Sequence, residues 1–539
     1  MNTKILLILI IILAVLTRVL FLGQFPNGFT GDEAQQGYSA YSILKTGRDE
    51  WGELLPIFPR GFGDFKPPLY TYLAIPSIAV FGLTIEAVRL PAALVGILAV
   101  MVLYFLTKEL FKDQKIAILS SFLLAINPWH IQLSRTAFEG GLGVLTFSLG
   151  LLFFLKSRRK DLIWAAIFWG LTLYSYHSWR VFTIIFILGL VIFFRRNLIV
   201  LKNLVVGVCL AIFILPLLFN LNSIMARSSD VGIIGEKQLE GYFAEKSLTP
   251  LPPVIDRVLD NKVFFIGKQF FENYLSYFSP AFYFTNNRPD NTYLNFPHFS
   301  LLFSFEIVFW VAALYVFITK RVQNRSIILL WFFLSIVPAA LATGGMNANR
   351  ATTLLPLTAI ISGFGAKIIL DKIDSLKFKI LKPGLIFVGV FSFLMFLHFY
   401  FINLPNTPPM NLRYGYDSVF KKVLEVEGDY EHIIISKSFT EGQIFIAFYS
   451  QMDPKTFQSS SKNWLRYVDA GKQYIDQLES WNLGKYLFEG VDWKVKDHAR
   501  ENALIVSEAK DFPETEVSIL DVRDPKKRLL YRLVPTNGI

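Results

Sequence analysis

The chain has 539 residues, of which 53% are hydrophobic, 16% aromatic and only 18% charged, and its mean hydropathy is +0.44. This composition is too apolar for an ordinary soluble protein and indicates a polytopic membrane protein. The net charge of +11 would suit a nucleic-acid partner only if the basic residues formed a patch on a soluble fold. The chain has a single cysteine, Cys209, which excludes an intrachain disulfide and a cysteine-based metal site.

The first predicted element is an apolar run from about Lys4 to Leu22. It is long enough to cross a bilayer, which takes about 20 residues, and no small-residue cleavage site follows it, so we expect a retained span rather than a signal peptide. Further apolar runs, several of them shorter, bring the predicted number of transmembrane helices to about eleven. They cover approximately residues 88–106, 116–127, 141–155, 162–174, 181–194, 204–219, 300–318, 327–342, 352–370 and 384–402.

The first outer loop, at about residues 23–87, carries the most unusual polar residues. Asp32 and Glu33 lie just beyond the first span, and Lys66 follows in a segment that two prolines stiffen. The apolar stretch at 69–81 is short and interrupted by proline, so we expect a helix lying in the membrane interface. An acidic pair and a lysine near the lipid headgroups suggest chemistry on a lipid-borne substrate.

The basic residues predict the orientation, because lysine and arginine accumulate in short cytoplasmic loops. The short loops predicted to lie outside carry one basic residue each, namely Arg135, Arg180 and Arg350. The loops predicted to lie inside carry Lys108, Lys112, Lys115, Lys156, Arg158, Arg159, Lys160, Arg195, Arg196, Lys202, Lys320, Arg321, Arg325, Lys372, Lys377, Lys379 and Lys382. We therefore predict a multi-pass plasma-membrane protein with a cytoplasmic N-terminus, whose orientation explains the net positive charge without nucleic acid.

Two larger regions are predicted outside the membrane. A loop at about residues 220–299 exceeds the usual connection length, which indicates a folded or functional segment. From residue 403 to 539 the hydropathy drops, and a helix-like stretch at 417–425 precedes strand-like runs at 432–436, 517–522 and 528–534. We therefore divide the chain into a transmembrane domain, 1–402, and a small extracytoplasmic α/β domain, 403–539.

Several short motifs share the outer side in a fixed order. Asp32 and Glu33 lie in the first outer loop, Lys66-Pro67-Pro68-Leu69-Tyr70 precedes the second span, and Val88-Arg89-Leu90-Pro91 opens it. Together with about eleven spans and an outward C-terminal domain, over roughly residues 1–400, they resemble glycosyltransferase family 39. That family belongs to the C-type membrane glycosyltransferases, which include protein O-mannosyltransferases and the aminoarabinose transferase that modifies lipid A.

The resemblance implies transfer of a sugar from a polyprenyl-phosphate donor to an acceptor hydroxyl at the outer face. It matches Asp32 to the catalytic aspartate, Glu33 to the second position of the acidic motif, and Lys66 to the lysine that binds the donor phosphate. We add Arg350 and Arg135 as candidates for phosphate binding. The further candidates for substrate binding are Glu139, Tyr176 and His177.

The resemblance also bears on partners. The acceptor can be a lipid, a glycan or a protein hydroxyl, and membrane lipid surrounds the spans. No cofactor is required beyond the donor, and a divalent metal is compatible with the family although no residue pattern indicates one. The overall pattern of the family resemblance favours a bacterial origin.

Direct displacement at the anomeric carbon requires one base to take the proton of the acceptor hydroxyl. It requires no paired acid, because the phosphate leaves as a stable anion. Asp32 can serve as that base, with inversion at the sugar carbon, while Lys66 neutralises the phosphate with help from Arg350 or Arg135. In an extended backbone Glu33 would point elsewhere. Three roles stay open for Glu33, namely orienting an acceptor, pairing with a basic residue and ligating a cation.

Other interpretations stay open for the same residues. An Asp-Glu pair after a span can cap an interfacial helix or remain solvated, and His177 beside tryptophan can belong to an aromatic belt. A transporter or flippase of lipid-linked sugars would also suit eleven spans, but transport sites usually lie at the bilayer midplane, where these spans carry few charges. A non-catalytic assembly protein is a third reading.

Overall fold

The computed structural model describes residues 2–156, 158–193, 204–221, 232–248, 261–285, 294, 299–376, 380–406, 412–465, 468, 474–494, 497 and 500–536. Their contacts divide the chain into two compact units. The first comprises Met1–Leu20 and Ala92–Phe396, and the second comprises Phe21–Pro91 and Leu397–Ile539.

The first unit is helical, and the predicted spans fall on its helices with ends shifted by a few residues. Its helices are α1 (Thr3–Val19), most of α4 (Ile85–Phe111), α5 (Gln114–Ile126), α6 (Pro128–Leu133), α7 (Gly140–Lys156), α8 (Arg159–Thr172), α9 (His177–Phe193), α10 (Leu204–Phe219), α11 (Glu236–Leu248), α12 (Lys262–Ser276), α13 (Pro280–Phe284), α14 (Glu306–Thr319), α15 (Arg325–Ala340), α16 (Leu355–Ser375) and α17 (Leu381–His398). In the predicted loop at 220–299, residues 222–231, 249–260, 286–293 and 295–298 lie outside the described residues.

Three segments of the described chain are long and apolar enough by themselves to cross a membrane, namely Ile85–Phe111, Arg350–Ser375 and Leu381–Asn406. The other apolar helices have 10–17 residues. A membrane-spanning helical bundle is therefore consistent with the structure, while the total of about eleven spans stays a prediction.

Small residues let the helices of the first unit approach closely. A methyl group on Gly143 would lie 2.2 Å from the indole of Trp179, and one on Gly150 would lie 2.4 Å from Trp169. At Gly365 the added carbon would lie 1.8 Å from the backbone oxygen of Phe309. Glycine at helix crossings is typical of membrane bundles, where close packing replaces the hydrophobic effect between helices.

The second unit combines the first outer loop with the C-terminal α/β module. The loop contributes α2 (Gly31–Thr46) and α3 (Pro68–Phe81), so the predicted interfacial helix is present as a helix. The module contains α18 (Tyr416–Val426), β1 (His432–Ser436), α19 (Gly442–Ser450), α20 (Pro454–Trp464), β2 (Ser480–Leu483), β3 (Tyr486–Glu489), β4 (Ala503–Glu508), β5 (Leu520–Arg523) and β6 (Leu529–Thr536). The helix and strands predicted in this region coincide with α18, β1, β5 and β6.

The strands form one mixed sheet in the order β2-β3-β1-β4-β6-β5. The central strand β1 pairs in parallel with β3 and β4, and the remaining pairs are antiparallel. All residues of β1 after His432 are buried, as expected for a strand covered on both faces.

Helix α2 packs against α19 within this unit. Gly37 makes room for the contact, because a methyl group there would lie 3.0 Å from the Phe448 ring and 2.5 Å from Val88. The Tyr38 hydroxyl donates to the backbone oxygen of Met452 at 3.0 Å. The start of α2, with its two acidic residues, is thereby placed beside the C-terminal module.

Candidate functional site

Asp32 and Lys66 form the centre of the candidate site. Asp32 lies in the first turn of α2, where the helix dipole favours a carboxylate. The Lys66 Nζ donates to Asp32 Oδ1 at 2.5 Å and lies 3.3 Å from Asp64 Oδ1. The lysine side chain is 11% exposed and that of Asp32 is 36% exposed. The structure thus brings the predicted base and the predicted phosphate ligand into direct contact and leaves the carboxylate accessible.

A tight loop holds Lys66 in place. The Lys66 backbone N–H donates to the Pro59 oxygen at 2.8 Å, and the Gly61 N–H donates to the Asp64 oxygen at 2.6 Å. A methyl group on Gly61 would lie 2.4 Å from Asp64 Oδ1, so glycine is needed for the close approach. Pro67 and Pro68 then fix the backbone into α3.

Glu33 has a different environment from Asp32. The Thr30 hydroxyl accepts from the Glu33 N–H, and Glu33 Oε2 accepts from the Thr30 N–H at 3.0 Å, which is a capping box. Arg89 Nε donates to Glu33 Oε1 at 2.8 Å, and both side chains are buried. The backbone here is helical, so the extended conformation considered for Glu33 does not occur. These contacts favour a positioning role for Glu33, and a catalytic role stays a prediction.

The C-terminal module adds two carboxyl groups that the sequence did not indicate. Glu441, at the start of α19, reaches the first turn of α2, where a methyl group on Gly31 would lie 1.9 Å from its Oε2. Burial and then the charge of Asp32 raise the pKa of Glu441 to about 7. Asp476 accepts a hydrogen bond from the Glu441 backbone, and burial raises its pKa to about 6. No motif could have revealed Glu441, because its role depends on packing between distant segments.

The other predicted site residues belong to the first unit. Arg135 is fully buried and donates to the backbone oxygens of Thr17 at 2.9 Å and Leu20 at 2.8 Å, so it closes the end of α1. Arg350 is half-buried and donates to the Thr343 oxygen. Phosphate binding by either arginine stays a prediction.

Of the predicted substrate-binding residues, Glu139 directly precedes α7, Tyr176 directly precedes α9 and His177 begins it. Glu139 is buried. The Tyr176 ring meets Phe138 edge-on at 5.0 Å between centroids and His177 at 5.9 Å. Their role in substrate binding also stays a prediction.

In the described part of the chain, no group of three or more histidine, cysteine, aspartate or glutamate side chains is arranged to hold a metal ion.

A cavity of about 660 Å³ lies in the second unit. It is lined by Gly23, Gln24, Phe25, Asn27, Gly28, Phe29, Leu83, Thr84, Ile85, Glu86, Pro405, Asp417, Lys421, Phe448 and Tyr449. This volume is within the range of small-molecule sites. Asp32 and Lys66 are not among these lining residues.

Comparison with known proteins gives a partial sequence match and a match over nearly the whole fold. Residues 65–219 match the family described as dolichyl-phosphate-mannose-protein mannosyltransferase. ArnT from Cupriavidus metallidurans, bound to undecaprenyl phosphate, is similar with a TM-score of 0.53 and 12% identity, covering 98% of this chain and 97% of ArnT. Its apo structure gives a TM-score of 0.52 at 12% identity and covers 98% of both chains. No curated protein sequence matches the chain significantly.

The chain has the fold of ArnT. The resemblance to C-type membrane glycosyltransferases that the sequence indicated is thereby confirmed. The family match begins at Phe65, so it includes Lys66 but not Asp32. The assignment of both residues to catalysis consequently depends on the site geometry.

Proposed function

We propose that this chain is an integral-membrane glycosyltransferase that moves a sugar from a polyprenyl-phosphate-linked donor to an acceptor hydroxyl on the outer face of the membrane, with inversion. The ArnT-like fold and the match to the mannosyltransferase family support this class. The binding of undecaprenyl phosphate by ArnT supports a lipid-linked donor. The acceptor is a hydroxyl of a lipid, a glycan or a protein.

The observation that carries the proposal is the contact between Asp32 and Lys66 at 2.5 Å. Asp32 takes the proton of the acceptor hydroxyl as the new bond forms between the acceptor oxygen and the anomeric carbon. The bond between that carbon and the phosphate oxygen breaks, and the lipid phosphate leaves with the electron pair. Lys66 neutralises the leaving phosphate in a site where little water reaches its ammonium group.

The geometry also explains how one lysine serves both the base and the phosphate. An ammonium group has three donors, and Asp32 and Asp64 engage two directions around Nζ at 2.5 and 3.3 Å. A donor phosphate would compete with these two carboxylates for the ammonium group. Asp64 keeps the lysine in place when the phosphate draws it away from Asp32, so Asp32 becomes a stronger base as the donor binds.

The test is transfer of labelled sugar from a panel of polyprenyl-phosphate sugars to membrane extract, with purified protein in lipid. We expect transfer by the wild type and a loss of about 10²–10⁴-fold in Asp32→Asn, the usual range for a general base. Asp374→Asn is the matched control, because Asp374 is an exposed carboxylate paired with Lys382 at 2.8 Å.

Equal transfer by Asp32→Asn and the wild type would remove Asp32 as the base. If no donor supports transfer while the protein moves lipid-linked sugar between leaflets, the transporter interpretation replaces this one.

A further inference from the structure

Glu441 is a carboxyl group that the proposed reaction does not use. It stands at the start of α19 with φ = 59°, in the left-handed region, where a residue other than glycine is uncommon. Its backbone N–H is held by the Asp476 carboxylate. The module thus fixes this residue in an unfavourable conformation, and such residues cluster at functional sites.

The side chain of Glu441 lies against the site rather than away from it. Its Oε2 occupies the space that a side chain at position 31 would need, with 1.9 Å to the ideal Cβ of Gly31. Gly31 directly precedes Asp32 in the first turn of α2. Glycine at this position therefore admits the Glu441 carboxyl beside the proposed base.

The charged groups that face Glu441 come from four segments. They are Asp32 on α2, Lys66 before α3, Asp476 in the turn before β2, and Arg413 before α18. An ionised Glu441 would add a third negative charge near Lys66, after those of Asp32 and Asp64. A protonated Glu441 leaves the lysine charge to Asp32, Asp64 and a bound phosphate.

We propose that Glu441 is a positioning residue of the Asp32 and Lys66 site, which holds a proton while the donor phosphate binds and weakens phosphate binding once it ionises. This inference rests on the proposed function, because it assigns Lys66 to the phosphate. It gives the C-terminal module a direct part in donor binding. Burial of Glu441 supports it, because the raised pKa of about 7 places the change of charge near neutral pH.

The test is binding of undecaprenyl phosphate to the full chain in lipid between pH 6 and pH 8.5, for the wild type and Glu441→Gln. We expect equal Kd values at pH 6 and about tenfold weaker binding by the wild type at pH 8.5, as a nearby unit charge would produce in a partly buried site. The phosphate of the ligand titrates equally in both experiments, so its effect cancels in the ratio of the wild-type Kd to the Glu441→Gln Kd. Asp476 is already ionised above pH 7, so the upper half of the range reports Glu441.

Two variants check the origin of the effect. Gly31→Ala places a methyl group where the Glu441 carboxyl lies, and alanine is a good helix former at that position. The Kd of this variant should therefore not rise at alkaline pH. Glu425→Gln, an exposed carboxyl on α18 paired with Lys422 at 3.0 Å, should retain the wild-type rise.

Transfer kinetics separate this inference from the proposed function. With an active donor, the KM of the wild type should rise with pH and that of Glu441→Gln should not. If the ratio of the wild-type Kd to the Glu441→Gln Kd stays constant from pH 6 to pH 8.5, the inference is wrong even when transfer occurs. If no donor is active, the proposed reaction is wrong, and the Kd ratio still decides whether Glu441 controls phosphate binding.

Discussion

Arg89 and Glu33 form a buried ion pair at the first turn of α2, with Nε to Oε1 at 2.8 Å and Nη2 to Oε2 at 3.2 Å. The remaining donors of Arg89 reach the backbone oxygens of Leu22 at 3.2 Å, Pro26 at 3.1 Å and Gly28 at 2.6 Å. One arginine therefore fixes both the chain that enters α2 and the acidic residue next to Asp32. The two adjacent carboxylates therefore lie in different environments.

The first prediction is that Glu33→Gln destabilises the protein strongly. Removing one partner of a buried ion pair leaves the other charge without compensation and costs about 3–5 kcal/mol. We expect the thermal unfolding midpoint in detergent to fall by several degrees. Glu109→Gln removes the half-buried partner of the exposed Lys112, and pairs at the surface contribute about 0–1 kcal/mol, so that variant should unfold near the wild-type temperature. An unchanged midpoint in Glu33→Gln would contradict the structural role.

The second prediction concerns the residues that hold Lys66. Lys66→Ala should lower kcat/KM for the donor by about 100-fold, because a charge-assisted bond to the phosphate is lost. Asp64→Asn should raise the donor KM by only about fivefold, since the amide oxygen still accepts a hydrogen bond from the lysine and only the charge of one partner at 3.3 Å is removed. Initial rates over a range of donor concentrations distinguish the two effects. Lys45→Ala, an exposed lysine on α2, is the control, and equal losses in it and in Lys66→Ala would argue against phosphate binding.

The sequence allowed prediction of the helices and the α/β module, because hydropathy carries that information. Short motifs put Asp32 and Lys66 on the same outer side but did not predict their contact. It also contained the capping-box pattern of Thr30 and Glu33, which predicts a helix start and would have shown that the backbone is not extended. Glu441 could not be found in this way. Its contact with Gly31 arises from the packing of α2 on α19, and such long-range packing leaves no local pattern.

The third prediction concerns Glu50, a fully buried carboxyl in the first outer loop. It accepts hydrogen bonds from Ser39 at 2.5 Å and Gln35 at 2.9 Å. Burial and then the charge of Asp49 raise its pKa from 4.5 to about 8. The folded state therefore binds the proton more tightly than the unfolded state, and the free energy of unfolding falls as the pH rises from about 4.5 to about 8.

Glu50→Gln removes this ionisation while keeping the size of the side chain. We expect it to raise the free energy of unfolding by about 1–3 kcal/mol at pH 8.5, given that one pKa unit corresponds to about 1.4 kcal/mol, and to change it little at pH 5. Unfolding midpoints of both proteins at the two pH values provide the measurement. The same difference at both pH values would show that packing rather than ionisation causes it.

The fourth prediction tests whether the C-terminal module places the first turn of α2. Gly37→Ala introduces a methyl group 2.5 Å from Val88 and 3.0 Å from Phe448, both of which are buried. Overpacking of this kind typically costs about 1–3 kcal/mol, and here it pushes α2 away from α19. We therefore expect lower transfer as well as a lower unfolding midpoint. Gly428→Ala, where nothing lies within 4 Å of the added carbon, should alter neither quantity.

The decisive comparison is activity at temperatures where both glycine variants remain folded. If α2 and α19 together hold Asp32 against Lys66 and Glu441, then Gly37→Ala should transfer sugar more slowly there, since displacing a catalytic group by about 1 Å can cost 100-fold in rate. If Gly37→Ala unfolds earlier but keeps the wild-type rate below its midpoint, the packing of α2 on α19 stabilises the fold without setting the geometry of the reaction.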